Sequence, residues 1–141
     1  MSKYISLILS AILLILAFSG CSSPAVKDVS LGTEFTLSPG QTASITEENL
    51  SFKFVELVSD SRCPQGATCI WAGEASCLIE IATQQSTFRK VLTQPGISLP
   101  WEDDFADYKI TFDIQPYPQL GKETNKKDCR LDLLIIKKPA Q

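Results

Sequence analysis

The stretch DYKITFDIQ, residues 107–115, decides the fold class because its side chains alternate strictly in polarity. Tyr108, Ile110, Phe112 and Ile114 are apolar, and a polar or charged residue stands between each of them. Successive side chains of a β-strand point to opposite faces of a sheet. The pattern therefore predicts a strand with one buried face and one solvated face.

Three other segments repeat this period of two, and three shorter ones, residues 33–37, 42–45 and 86–92, are also typical of strands. The residues predicted to share buried faces are Leu50, Phe52, Phe54 and Val58, with Glu56 as an exception; Ala75, Cys77, Ile79 and Ile81; and Cys129, Leu131, Leu133 and Ile135. Turns containing Gly and Pro separate the segments. The sequence thus predicts a single all-β domain, a β-sandwich or small barrel of about seven short strands. One helical turn is predicted at residues 103–106.

The amino terminus differs from the rest of the chain. Residues 5–18 are apolar except for two serines, and Lys3 precedes them. As a helix this run would extend about 21 Å, which is short of the roughly 30 Å hydrocarbon core of a bilayer. A basic start, a short apolar run and small residues after it are typical of a secretory signal peptide. A membrane-spanning anchor is the alternative.

The sequence FSGC, residues 18–21, resembles the lipobox of bacterial lipoproteins, with Ser19 and Gly20 before the cysteine and Phe18 where Leu is commoner. The resemblance implies that Cys21 is lipidated and becomes the mature amino terminus. The predicted organisation is a lipoprotein signal peptide at 1–20, the lipidated cysteine and a tether at 21–30, an all-β domain at 31–138 and a tail at 139–141. Two or more acyl chains hold a protein stably on a membrane.

The charge balance narrows the possible partners. The formal net charge is −3 and no long basic run is present, so nucleic acid is an unexpected partner. Without a polybasic patch for anionic lipid, the acyl chains on Cys21 are expected to anchor the protein in the bilayer. The predicted location is the cell membrane or outer membrane, facing an extracytoplasmic compartment.

Four cysteines remain after Cys21, and export favours their pairing as disulfides. Cys63 and Cys69 lie in one loop with Pro64 between them, whereas Cys77 and Cys129 are on the predicted inner faces of strands. We therefore predict the disulfides Cys63–Cys69 and Cys77–Cys129. A thiolate metal site or a redox dithiol is less favoured, because the spacing fits neither pattern and the chain has no His.

The sequence DSRCPQGATCIWAG, residues 60–73, resembles the centre of a family of uncharacterised bacterial lipoproteins and secreted β-rich domains. The matching residues are Asp60, Ser61, Arg62, Cys63, Pro64, Gly66, Cys69, Trp71, Ala72 and Gly73, and Pro116 and Pro118 fit a later P-x-P element. The resemblance implies location and architecture but no activity. From the residues themselves, a stiff structural loop is one reading. The other is a binding site that presents Arg62 and Trp71, since Trp and Arg dominate interface hot spots.

No catalytic residues and no cofactor are predicted. The chain lacks His as a general base and has no G-x-S-x-G motif. The weak calcium candidates Glu102, Asp103, Asp104 and Asp107 cluster in sequence, but they lack the spacing of a calcium loop and are predicted to form a solvated acidic loop.

The sequence thus predicts a membrane-anchored lipoprotein with a non-catalytic domain that binds an envelope protein or surface component or has a structural role. Two alternatives from other classes are a protease-inhibitor-like module using the Cys63–Cys69 loop and a small hydrolase that uses carboxylates.

Overall fold

The computed structural model describes residues 26–97 and 100–139, and the predicted signal peptide and Cys21 lie outside them. The described residues form nine strands: β1 Val26–Asp28, β2 Glu34–Leu37, β3 Thr42–Ile45, β4 Leu50–Asp60, β5 Glu74–Ala82, β6 Thr87–Pro95, β7 Trp101–Phe105, β8 Tyr108–Gln115 and β9 Arg130–Lys137. Short 3-10 turns occupy Thr46–Glu48 and Lys126–Asp128. In this part of the chain, no helix has the length and apolar character needed to cross a bilayer.

The strands form two sheets, which confirms the predicted all-β sandwich; neither sheet closes into a barrel within the described residues. Sheet 1 has the order β1-β3-β4-β5-β6, and sheet 2 has the order β2-β9-β8-β7. All neighbours are antiparallel except β1 and β3. The sequence prediction missed β1 and β7, and β1 shortens the predicted tether, because Val26 already pairs with Thr42.

The inner faces of the two sheets meet in a core of aliphatic and phenylalanine side chains. The predicted inner faces of β5, β8 and β9 are confirmed, since Ile79, Phe112 and Leu133 are each at most 1% exposed and their i±2 apolar neighbours on the same strands face inward too. Burying a side chain of this size contributes about 1.5–3 kcal/mol relative to leaving it exposed. The core therefore holds the sheets together along most of their length.

The prediction for β4 was wrong at its carboxyl-terminal half. Register shifts fall between Phe54 and Glu56 and again between Leu57 and Ser59. Each such bulge inserts an unpaired residue and changes the face on which later side chains lie. Leu57 is buried as a result, while Val58 is 45% exposed. The exception noted at Glu56 was the sign of this irregularity.

The predicted disulfide between Cys77 and Cys129 is absent: both residues are buried free thiols. Both side chains are buried, as predicted, and they lie in or next to strands of opposite sheets. Cys77 is inside β5, level with Leu57 and Leu92, whereas Cys129 comes just before β9 begins. Strand periodicity predicts the face of a side chain but not which opposing residue it meets.

Burial raises the pKa of the Cys77 thiol from its ordinary 9.0 to about 12, and the proximity of Cys129 contributes in the same direction. Burial likewise raises the pKa of Cys129. The folded protein therefore keeps the Cys77 proton at a pH where the unfolded chain would lose it. This contribution to stability is complete below about pH 9 and is lost as the pH rises towards 12.

We expect the free energy of unfolding to fall between pH 9 and 12 more steeply in the wild type than in Cys77→Ala, by at most about 1.4 kcal/mol per pH unit. Urea unfolding at a series of pH values measures both slopes, and the packing cost of the alanine cancels because only slopes are compared. Equal slopes would show that Cys77 ionises freely in the folded protein.

Candidate functional site

The loop of residues 61–73, here called the apical loop, connects β4 to β5 and contains the motif noted in the sequence. Its two legs extend the β4–β5 pairing: the Ser61 amide donates to the carbonyl of Glu74 at 2.8 Å, and the Cys63 amide donates to that of Ala72 at 2.9 Å. The predicted disulfide Cys63–Cys69 is present, with a Cα–Cα distance of 5.9 Å. A ring of this size stabilises the fold by about 2.4 kcal/mol in the chain-entropy treatment.

Arg62 is not presented to a partner, so its prediction as a binding residue was wrong. The residue is 3% exposed. Its Nε and Nη2 donate to the two carboxylate oxygens of Asp60 at 2.9 and 2.6 Å. Its Nη1 donates to the carbonyl of Ile114 at 2.7 Å, and Nη2 also donates to that of Pro116 at 3.2 Å. The guanidinium thus joins the end of β4 in sheet 1 to the end of β8 in sheet 2.

Tyr117 completes this arrangement. Its ring lies 4.7 Å from the Arg62 guanidinium carbon in a cation–π contact. Its hydroxyl donates to the carbonyl of Gly96 at 2.7 Å. Sequence analysis missed this role. The only local signal was the position of Tyr117 between two prolines, which restrict the backbone on either side of it. Tyr117 thereby links the loop after β8 to the loop after β6.

Glycines allow the apical loop to pack closely against its neighbours. Gly73 has φ +70°, and a Cβ there would lie 1.9 Å from the Ser61 carbonyl oxygen. A Cβ on Gly96 would lie 1.9 Å from the Ala72 carbonyl oxygen. The Gly96 amide donates to the carbonyl of Gly73 at 2.8 Å. These contacts require glycine at both positions and press residues 72–73 against residues 95–97.

The other side of the apical loop contacts the segment after β8. The Gln65 amide donates to the carbonyl of Pro118 at 2.8 Å, and the Leu120 amide donates to the carbonyl of Gln65 at 3.0 Å. The loop is therefore held on both sides by backbone hydrogen bonds. Its shape is set by the fold and by the disulfide together.

Trp71 and Ile70 form the outer surface of this rigid loop. Trp71 is 72% exposed and Ile70 is fully exposed, so the expectation that Trp71 is presented by the loop agrees with its position. Ile97 and Leu120, on the two flanking segments, are also exposed. We call Ile70, Trp71, Ile97 and Leu120 the apical apolar surface. Sequence analysis missed three of the four, because single exposed aliphatic residues carry no periodic signal.

The four calcium candidates do not form a loop and are not brought together, which corrects both the predicted acidic loop and the predicted helical turn. Glu102, Asp103 and Asp104 lie on strand β7, where successive side chains point to opposite faces. They pair with three separate lysines, Lys109, Lys90 and Lys138 respectively, and Asp107 lies in the turn that follows. Among the described residues, no group of three or more His, Cys, Asp or Glu side chains could hold a metal ion.

A shallow groove of about 480 Å³ lies on the outer face of sheet 2. Its carboxylates are Glu34, Asp113 and Asp132. Asp113 accepts hydrogen bonds from Gln94 and Gln115, and Asp132 accepts one from Thr36. Two of the three carboxylates thus already have partners from neighbouring strands.

Comparison of the chain with protein-family models, curated proteins and solved structures finds no match.

We expect Arg62→Met to lower the free energy of unfolding by about 3–5 kcal/mol, because Asp60 would keep a partly buried and uncompensated charge. Urea unfolding measures the change. The matched control is Arg89→Met, which removes an exposed ion pair with Glu80 and should cost less than about 1 kcal/mol. The double variant Asp60→Leu/Arg62→Met should lose less than Arg62→Met alone. Equal effects of Arg62→Met and Arg89→Met would contradict the proposed importance of the buried pair.

We expect Gly73→Ala to cost more than about 3 kcal/mol, since contact with the Ser61 backbone adds to the left-handed conformation. Gly32→Ala is the control, because Gly32 has a similar φ of +74° and nothing within 4 Å of a Cβ. It should lose only about 1–2 kcal/mol. Thermal or urea unfolding compares the two variants, and similar losses would show that the close approach at Gly73 relaxes easily.

Proposed function

We propose that this protein is an exported lipoprotein, anchored in a membrane through acyl chains on Cys21, whose β-sandwich is a non-catalytic binding module facing an extracytoplasmic compartment. The observation that carries the binding role is the apical apolar surface on a loop that the fold makes rigid. Trp71 and Ile70 are exposed, whereas the surrounding loop is fixed by a disulfide, by glycine contacts and by Arg62. The lipobox-like sequence before Cys21 and the resemblance of residues 60–73 to lipoproteins and secreted domains support the location.

Rigid presentation of an aromatic side chain favours binding for a physical reason. Trp has few rotatable bonds and a large apolar area, so it loses little entropy when it is covered. A loop that already has its bound shape does not lose further entropy on association. Arg62 acts in this proposal as a positioning residue, and Trp71 is the residue that contacts the partner.

The protease-inhibitor reading has less support. An inhibitor that inserts the Cys63–Cys69 ring would need free backbone groups inside the ring to pair with an enzyme. Both the amide and the carbonyl of Gln65 are instead bonded to residues 118 and 120. The exposed apolar residues Ile70 and Trp71 lie after the ring. The hydrolase reading is weakened because Asp113 and Asp132, two of the three carboxylates in the groove on sheet 2, are already hydrogen-bonded.

The intact mass of the protein from native membranes tests the anchor and the cysteine assignments together. We expect a mature chain beginning at acylated Cys21. Alkylation after unfolding should modify two thiols before reduction, Cys77 and Cys129, and four after it. A product that retains Met1 and carries no fatty acid would refute the lipoprotein proposal.

Association of the same protein with its partner tests the binding role. Trp71→Ala should fold with unchanged stability and lose at least tenfold in affinity for whatever native envelope fraction the wild type binds, because hot-spot truncations cost about 2 kcal/mol or more. Trp101→Ala is the control, since Trp101 is also partly exposed but lies on β7. Binding that is unchanged in Trp71→Ala would mean that the apical loop is purely structural.

A further inference from the structure

The chain enters sheet 1 from the side of the apical loop. β1 runs parallel to β3, and β3 runs antiparallel to β4. The first residue of β1, Val26, is therefore the one nearest the end towards which β4 runs, and that end carries the apical loop.

The tether is short compared with the sheet. Val26 is level with Thr42 and Lys53, and β4 continues from Lys53 for seven more residues to Asp60, which is about 20 Å. Cys21 is five residues before Val26, so it lies no farther than about 18 Å from it. When the apical loop points at the bilayer, a tether this short cannot hold the domain away from it. The apical loop must then contact the bilayer.

The composition of the apical end also fits a membrane surface. Four exposed cations, Lys122, Lys126, Lys127 and Arg130, lie in or next to the loop that connects β8 to β9. The exposed carboxylates nearby are Glu123 and Asp128 in the same loop and Glu74 at the start of β5. The apical loop itself has no exposed charge, since Arg62 is buried against Asp60. The whole chain is acidic, with a net charge of −3, and at the opposite end Lys137 pairs with Glu48 and Lys138 with Asp104, while Glu47 and Asp107 are also exposed.

We propose that the apical apolar surface inserts into the headgroup region of the same bilayer that holds the acyl chains of Cys21, so that the domain stands on the membrane in a fixed orientation. This proposal names the partner of the loop and rests on the lipid anchor of the proposed function. Trp is enriched at membrane interfaces, where its ring lies among the headgroups. Ile70 and Leu120 reach the acyl boundary, and the flanking lysines contact anionic lipid.

Fluorescence quenching tests this contact because the chain has only two tryptophans. The acylated protein is reconstituted into phosphatidylcholine vesicles with added phosphatidylglycerol. A fraction of the phosphatidylcholine carries bromine on its acyl chains near the headgroup. In Trp101→Phe the single indole is Trp71, and we expect bromine to quench it and the membrane to shift its emission to shorter wavelength. In Trp71→Phe, the matched control, Trp101 should show neither change.

The electrostatic part has its own variant. In the Trp101→Phe background, Lys122→Glu/Lys127→Glu should reduce the quenching of Trp71 in vesicles with phosphatidylglycerol and leave it unchanged in pure phosphatidylcholine. Equal quenching of Trp71 with and without the two lysine substitutions in vesicles with phosphatidylglycerol would overturn the contribution of the lysines.

The mass of each reconstituted sample separates this inference from the lipoprotein proposal. If Cys21 is acylated and Trp71 is not quenched, the membrane contact is refuted while the lipid anchor stands, and the apical surface is then free to bind a protein. If Cys21 carries no lipid, the lipoprotein proposal fails, and so does this inference, which depends on that anchor. Quenching of Trp71 alone in acylated protein supports the proposed orientation.

Discussion

The ion pair between the buried Arg62 and the partly exposed carboxylate of Asp60 is the constraint on which the arrangement of the apical end depends. A guanidinium inside a protein must use its donors, because an unpaired buried charge costs several kcal/mol. Arg62 meets this need only where the end of β4 lies beside the carbonyls of Ile114 and Pro116. Pairing of β4 in another register, or a shift of β8 past it, would remove the carbonyl acceptors and leave the guanidinium with Asp60 alone. The pair therefore contributes more to the uniqueness of this geometry than to its net stability.

Two open sheets leave edge backbone groups without strand partners. Side chains as well as strands supply hydrogen bonds to these groups. β7 covers β8 only as far as Phe112, which pairs with Trp101. Beyond that point the buried side chain of Gln94 from β6 accepts a hydrogen bond from the Ile114 amide and donates one to Asp113. An amide can do both because it carries a donor and an acceptor. The ion pair between Lys90 and Asp103 links β6 to β7, the edge strands of the two sheets.

The sequence predicted the parts of the fold that depend on short-range patterns. Alternation identified the inner faces of β5, β8 and β9, and a proline and a glycine within a short spacing identified the loop bridge between Cys63 and Cys69. The strands it missed lack that alternation: β1 is wholly exposed and the outer positions of β7 are acidic. The bulges in β4 could not be foreseen, because they depend on pairing with β5 rather than on the residues of β4 alone.

The candidate site was predictable as a segment but not residue by residue. A charged residue in a polar loop is normally exposed. No residue near Arg62 in the sequence predicts that it is buried and donates to carbonyls more than fifty positions away. Trp71 is exposed, as expected for a residue presented by the loop, but the sequence alone does not distinguish this position from one packed over the disulfide. Both side chains are placed by contacts between sheets, which the local sequence does not contain.

The exposure of Ile70 and Trp71 is best understood together with the rigidity beneath them. A flexible loop could turn apolar side chains inwards and lower their contact with water, whereas a loop fixed by Arg62, Gly73 and the disulfide cannot. The fold thus maintains an apolar surface that is unfavourable in water by itself, and such surfaces on otherwise polar proteins mark interaction sites. Under the lipid anchor proposed for Cys21, the surface nearest the bilayer would be the apical one. A rigid contact there would add little to the affinity that the proposed acyl chains would provide. Its physical effect would be on orientation, because two points of attachment remove rotations that a single short tether permits.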